Sequence, residues 1–141
     1  MANALYNKAK YKWMAPGTLG TTSGDSIDLL DDTIKIALID TGTYTFSQTH
    51  EYWSSASAAI VGTSVTLASK TVTDNVFDSA DPTFTSVSGV SVEALIIYKD
   101  TGTASTSPLI YFVDVAASGL PVTPNGGNIT VQFNASGIFA L

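Results

Sequence analysis

At 141 residues the chain has the size of one domain, and its 45% apolar content supplies a sizeable core, while only 13% of residues are charged and 19 Thr and 16 Ser take over much of the surface. Six Lys, no Arg and twelve acids leave a net charge of −6, which excludes nucleic acid as a partner, because phosphate binding needs cations in quantity. No Cys and a single His exclude disulfides, thiolate chemistry and a multi-histidine zinc site, and no cofactor or metal is expected.

In chain order, residues 1–17 differ from the rest. They hold Lys8, Lys10 and Lys12, half of all the lysines, among Tyr6, Tyr11 and Trp13. Leu5, Ala9 and Trp13 recur at i, i+4, i+8 and predict a short helix, stopped by Ala15-Pro16-Gly17. This reads either as a helical lid or as a basic, aromatic arm that reaches onto an acidic neighbour. The segment lacks the apolar core of a secretory signal, and no window approaches the ~18 apolar residues of a membrane span. A soluble chain made in a cytoplasm, with no membrane partner, is the expectation. Residues 18–32 are small, polar and acidic and read as a loop, partly packed down through Ile27, Leu29 and Leu30. Its aspartates lack the ligand spacing of a calcium loop.

Strand signals then follow. Thr33–Asp40 alternates Ile34, Ile36 and Leu38 with Lys35, Ala37 and Ile39. Further strands are predicted over Ala58–Ala68, Thr71–Phe77, Thr83–Val87, Val92–Asp100, Leu109–Val115, Ile129–Phe133 and Ile138–Leu141, with a turn or short helix around Gln48–Ala59. Gly, Pro, Asn and Asp clusters separate them. About seven to nine short strands at ~8–12-residue spacing, with no long helix between them, predict an all-β antiparallel sandwich or barrel over residues 18–141.

Two strands end in the same phrase: IALIDTGT at Ile36–Thr43 and LIIYKDTGT at Leu95–Thr103. The simplest reading is a turn, with Asp capping backbone N–H groups and Gly supplying positive φ. Asp-Thr-Gly is also the signature of aspartic proteases, in which two carboxylates share a proton. Asp40 and Asp100 are candidates for such a pair, with Ile60-Val61-Gly62 behind them. Their separation of sixty positions is short for two lobes, and the Ile-Val-Gly phrase follows Asp40 too closely. His50-Glu51 has no nucleophile elbow to serve, and no phosphate loop occurs. Asn128-Ile-Thr and Asn134-Ala-Ser match the glycosylation acceptor pattern and are read as turn and strand-edge residues. The aromatics Tyr52, Trp53, Tyr98, Tyr111 and Phe112 are first of all core or cross-strand residues. They offer a sugar-binding surface as an alternative, and Tyr52, Trp53 and Tyr98 are natural anchors in an oligomer interface.

An ordered string of phrases carries a resemblance: DTIKIALIDTGTYTFSQTHEYWSS at Asp32–Ser55, KTVTDNVFDSADPTFTSVSG at Lys70–Gly89, VEALIIYKDTGT at Val92–Thr103 and SPLIYFVDVAASGLPVTPNGGNITVQFN at Ser107–Asn134. Over Thr33–Leu141 the chain resembles small virion structural proteins of tailed bacteriophages, most distinctively in LPVTPNGG at Leu120–Gly127. The resemblance implies a non-enzymatic capsid decoration (cement) protein on the head surface of the virion, with the major capsid protein as partner and a homotrimer as its state. A tail component is the alternative within the same family. No catalytic residues carry over. Lys8, Lys10, Lys12 and Trp13 are the expected capsid contacts, on the strength of the local charge reversal.

Overall fold

The computed structural model describes residues 3–14, 26–116 and 118–141. It is mostly β: ten strands in antiparallel sheets and one short N-terminal helix among the described residues, a sandwich-like all-β fold as the turn spacing predicts. The main sheet has the order β1-β8-β7-β2-β3, from β1 (Ala4–Leu5), β8 (Leu109–Val113), β7 (Ala94–Lys99), β2 (Ile34–Ile39) and β3 (Ile60–Thr66). A three-stranded sheet runs β10 (Phe139–Ala140), β5 (Val76–Asp78), β4 (Thr71–Thr73), and β6 (Thr83–Phe84) pairs with β9 (Ile129–Thr130).

The central strands are apolar on both faces because both faces are covered. In β2, Ile34 and Ile36 through Ile39 are buried, and Ala94 through Tyr98 and all of β8 are buried as well. The alternation in Thr33–Asp40 therefore separates two buried faces, with only Lys35 half-exposed. On one face Tyr111 meets Phe139, which also meets Phe77, so the small sheet closes that side. On the other face Phe112 stacks on Phe46 and Tyr98 stacks on Trp53, so the segment after β2 closes it.

Helix α1 (Asn7–Met14) forms where the apolar stripe predicts it; the predicted Ala15-Pro16-Gly17 stop and residues 15–25 of the acidic loop lie outside the described residues. The first segment is built into the domain. β1 pairs with β8 through Ala4↔Phe112 and Leu5↔Tyr111, and Tyr6 and Ala9 are fully buried. The predicted strand Thr71–Phe77 is two strands, β4 and β5. Asp74 and Asn75 have φ of 49° and 57°, the left-handed pair that a two-residue hairpin turn requires. The Gln48–Ala59 stretch forms two 3₁₀ turns, Trp53–Ser55 and Ser57–Ala59. At the sheet's outer edge, β3 carries a bulge opposite Ile36 and Leu38, where Gly62 adopts φ 76°. Such a bulge blunts an edge strand against pairing with other chains.

Candidate functional site

The two Asp-Thr-Gly-Thr phrases are turns. Asp40 Oδ1 accepts the Gly42 N–H at 2.8 Å and its Oδ2 accepts the Thr43 hydroxyl at 2.8 Å. Asp100 Oδ1 accepts the Gly102 N–H at 2.9 Å, while its Oδ2 pairs with Lys35 Nζ at 2.8 Å. The Lys35 bond first, and the Gly102 N–H next, hold the Asp100 carboxyl below its usual range, and the same bond raises Lys35. The register Ile34↔Lys99 and Ile39↔Ala94 puts the two turns at opposite ends of the β2–β7 pair. Six strand residues separate them, about 20 Å. The two carboxylates cannot share a proton or a water. Ile60-Val61-Gly62 is the start of the edge strand.

A cleft of about 490 Å³ opens beside the Asp40 turn, lined by Thr41, Tyr44, Phe46, Glu93, Phe112 and Asp114 among others. Phe46 and Phe112 stack with centroids 4.6 Å apart, and Tyr44 lies 6.4 Å from Phe112. Glu93 Oε1 accepts the Thr41 N–H and hydroxyl at 3.1 and 3.0 Å, while its buried Oε2 has no hydrogen-bond partner among the described residues. Behind the cleft the Tyr6 and Tyr44 hydroxyls lie 2.9 Å apart, and the Tyr44 hydroxyl reaches His50 Nδ1 at 2.9 Å. Burial, and for Tyr6 the bond to Tyr44, raises both phenols above their ordinary value. The lone histidine thus orders tyrosines. Among the described residues no group of three or more His, Cys, Asp or Glu is placed to hold a metal, and no helix is long and apolar enough to cross a membrane. Sequence reading missed this cleft. Its available signal was the alternation Tyr44-Thr45-Phe46 straight after a capped turn.

The structure divides the expected capsid contacts. Lys8 and Lys10 are half-exposed on α1. Lys12 is 1% exposed: it turns inward at i+3 from Ala9, pairs with Glu51 Oε1 at 2.8 Å and lies 5.2 Å from the Tyr52 ring centre. It locks the helix to the 3₁₀ segment and has no surface left for a partner. Trp13 packs on Phe139 with centroids 6.1 Å apart.

The expected interface anchors are also internal. Trp53 stacks on Tyr98 with centroids 4.4 Å apart and planes 3° from parallel, and the two are 8% and 4% exposed. The Tyr98 hydroxyl donates to Ser64 Oγ at 2.9 Å, and burial raises this phenol too. Tyr52 bridges to Pro108 and is half-buried. The core reading describes Trp53 and Tyr98, whose rings are spent inside this molecule, while Tyr52 keeps part of its surface. Asn128 Oδ1 accepts the Ser86 N–H and Asn134 Oδ1 the Ser136 N–H, the turn roles expected of them.

A comparison with protein-family models gives no match, and neither does a comparison with curated proteins.

Proposed function

We propose that the chain is a non-enzymatic structural protein of a bacteriophage virion, a capsid decoration (cement) protein that binds the major capsid protein on the head surface as an oligomer and stabilises the shell. The observation that carries the reading is the use made of the two Asp-Thr-Gly phrases. Both carboxylates cap their own turns at opposite ends of one sheet. The carboxylates of the protease-like phrase are thereby spent on structure, which supports a protein selected for rigidity and surface. A hydroxyl-rich, weakly charged β shell suits side-to-side packing in a closed oligomer, and its acidity keeps it off packaged DNA. Mass spectrometry and cryo-electron microscopy of purified virions test the reading. Hundreds of copies on the head are expected; a few copies at the tail, or none, would overturn it.

The cleft favours a second reading, a carbohydrate-binding or adhesive β module. Stacked rings beside fixed carboxylates and hydroxyls are what a sugar face requires. Glycan-array binding that disappears in Phe46→Ala would support it, and an array without binding would reject it.

A further inference from the structure

Helix α1 presents cations beside an unfilled apolar groove. Lys8 and Lys10 pair with no carboxylate among the described residues; Lys8 Nζ lies 5.6 Å from the Tyr11 ring centre. Next to them Leu5, Lys10, Trp13, Met14, Ala140 and Leu141 line a groove of about 380 Å³ with almost wholly apolar walls. Met14 is 74% exposed and Leu141 56%. A groove of this kind selects one large apolar side chain set between carboxylates.

The same chain carries such a segment. In the turn before β2, Leu30 is 50% exposed and sits between Asp28 and Asp31, both exposed. The N–H groups of Leu30 and Asp31 donate to Asp28 Oδ1 at 3.0 and 3.1 Å, which fixes the turn and holds the Asp28 carboxyl below its usual range. Asp32 is engaged by Lys99 at 3.1 Å, and Lys99 also donates to the Ser26 carbonyl at 2.7 Å. Asp28 and Asp31 are the exposed carboxylates of the turn, with Lys70 and Lys99 close enough to act on Asp28 and Lys70 also donating to the Asp32 carbonyl. These anchors tie the turn to the β2–β7 end of the sheet, whereas the groove lies at the β1 edge. In the sheet order β1 lies two strand spacings from β7 and three from β2, about 9–14 Å. Groove and turn thus stand over different strands, the groove by β1 and the turn by β7.

We propose that the α1 groove of one molecule takes the Leu30 turn of a second copy, with Lys8 and Lys10 against Asp28 and Asp31. The two patches are different, so the contact is head-to-tail, and successive copies close into a ring or extend as a filament. The inference goes beyond the virion reading and stands without it.

Sedimentation velocity on the full chain, from about 1 to 100 µM and at low and high salt, tests it. Oligomers that grow with concentration and weaken with salt are expected. Lys10→Glu or Asp31→Lys alone weakens assembly about tenfold or more, because each sets like charges face to face. The double variant Lys10→Glu/Asp31→Lys restores it, and Leu30→Ser weakens it without a charge change. None of these side chains is buried, and an unchanged melting curve verifies the fold of each variant. A chain that stays monomeric throughout, an oligomer indifferent to either single variant, or a double variant that fails to recover overturns the proposal.

Discussion

The two ends of the central sheet begin from the same tetrapeptide and are closed by different physics. After β2 the chain leaves Asp40-Thr-Gly-Thr into Tyr44, whose hydroxyl joins Tyr6 to His50 in a buried hydrogen-bonded chain. After β7 it leaves Asp100-Thr-Gly-Thr into a 3₁₀ turn (Ala104–Thr106), and closure falls to the Trp53–Tyr98 stack and the Lys35–Asp100 pair. In both, Asp Oδ1 takes the glycine N–H at nearly the same distance. The glycines diverge: Gly102 sits at φ 91°, whereas Gly42 is not among the positive-φ residues. Local sequence therefore specifies the cap, and what packs against the strand end specifies the path out of it.

The stack is the larger effect. Trp53→Ala removes a buried indole from the Asp100 end and should cost about 3–5 kcal/mol in a denaturant titration. If Trp53 acted only between molecules, monomer stability would not move. Tyr44→Phe cuts the hydrogen-bonded chain at the Asp40 end and strands the fully buried Tyr6 hydroxyl. Its expected cost is about 1–3 kcal/mol by the same measurement. Gly102→Ala sharpens the contrast between the turns. The new Cβ meets nothing within 4 Å, so the whole loss is backbone conformation, about 1–2 kcal/mol in a thermal melt.

The smallest effect is electrostatic. Asp100→Asn keeps an acceptor for Gly102 and loses the pairing with Lys35, a partly exposed contact whose loss should cost under about 1 kcal/mol. The two ends should also separate on the acid side of the pH axis. The Asp100 carboxyl is lowered, so its contribution is complete above the ordinary carboxylate value of ~3.9 and fades as pH falls through the folded value. The Tyr6 and Tyr44 phenols are raised, so theirs is complete below ~10 and fades as pH climbs through the folded values. Tyr44→Phe should flatten only the alkaline limb of a stability–pH curve. Asp100→Asn should flatten the acid limb and also the part of the alkaline limb due to the raised Lys35. An acid limb lost in Tyr44→Phe, or kept whole in Asp100→Asn, would contradict this assignment of the two ends.

Most of the β framework was legible. The eight predicted strands all contain an observed strand, and the two further ones come from the hairpin within Thr71–Phe77 and from β1. The hairpin turn was readable, since Asp74-Asn75 inside a strand pattern is a left-handed pair. The two-residue β1 was not, because Ala4 and Leu5 become a strand only by meeting Phe112 and Tyr111. The aromatic residues show where composition stops being informative. Tyr52, Trp53 and Tyr98 were compatible with core, sugar face or interface, and the parallel stack that buries two of them depends on chain remote in sequence. Lys12 teaches the same lesson for charge. It shares a cluster with Lys8 and Lys10, yet its partner Glu51 lies 39 positions away, so only the fold distinguishes the internal lysine from the surface pair. The acidic–aromatic cleft gathers residues from Thr41 to Pro121 and leaves no local motif.

The seam between β1 and β8 sets an order of events. Asn3 Oδ1 accepts the N–H groups of Asp114 and Val115, its amide donates to the Val115 carbonyl 112 positions away, and the Tyr6 N–H reaches the Ile110 carbonyl. None of these partners exists while the first hundred residues are being made. During synthesis the helical segment can meet Tyr44, Gln48 and Glu51 early, through Tyr6, Asn7 and Lys12. Its seam with β8 and the Trp13–Phe139 contact close late, limited by long-range loop closure. Because Ala140 and Leu141 help line the groove proposed for a neighbouring copy, that surface forms only after β10 has been made, long after the acidic turn that precedes β2.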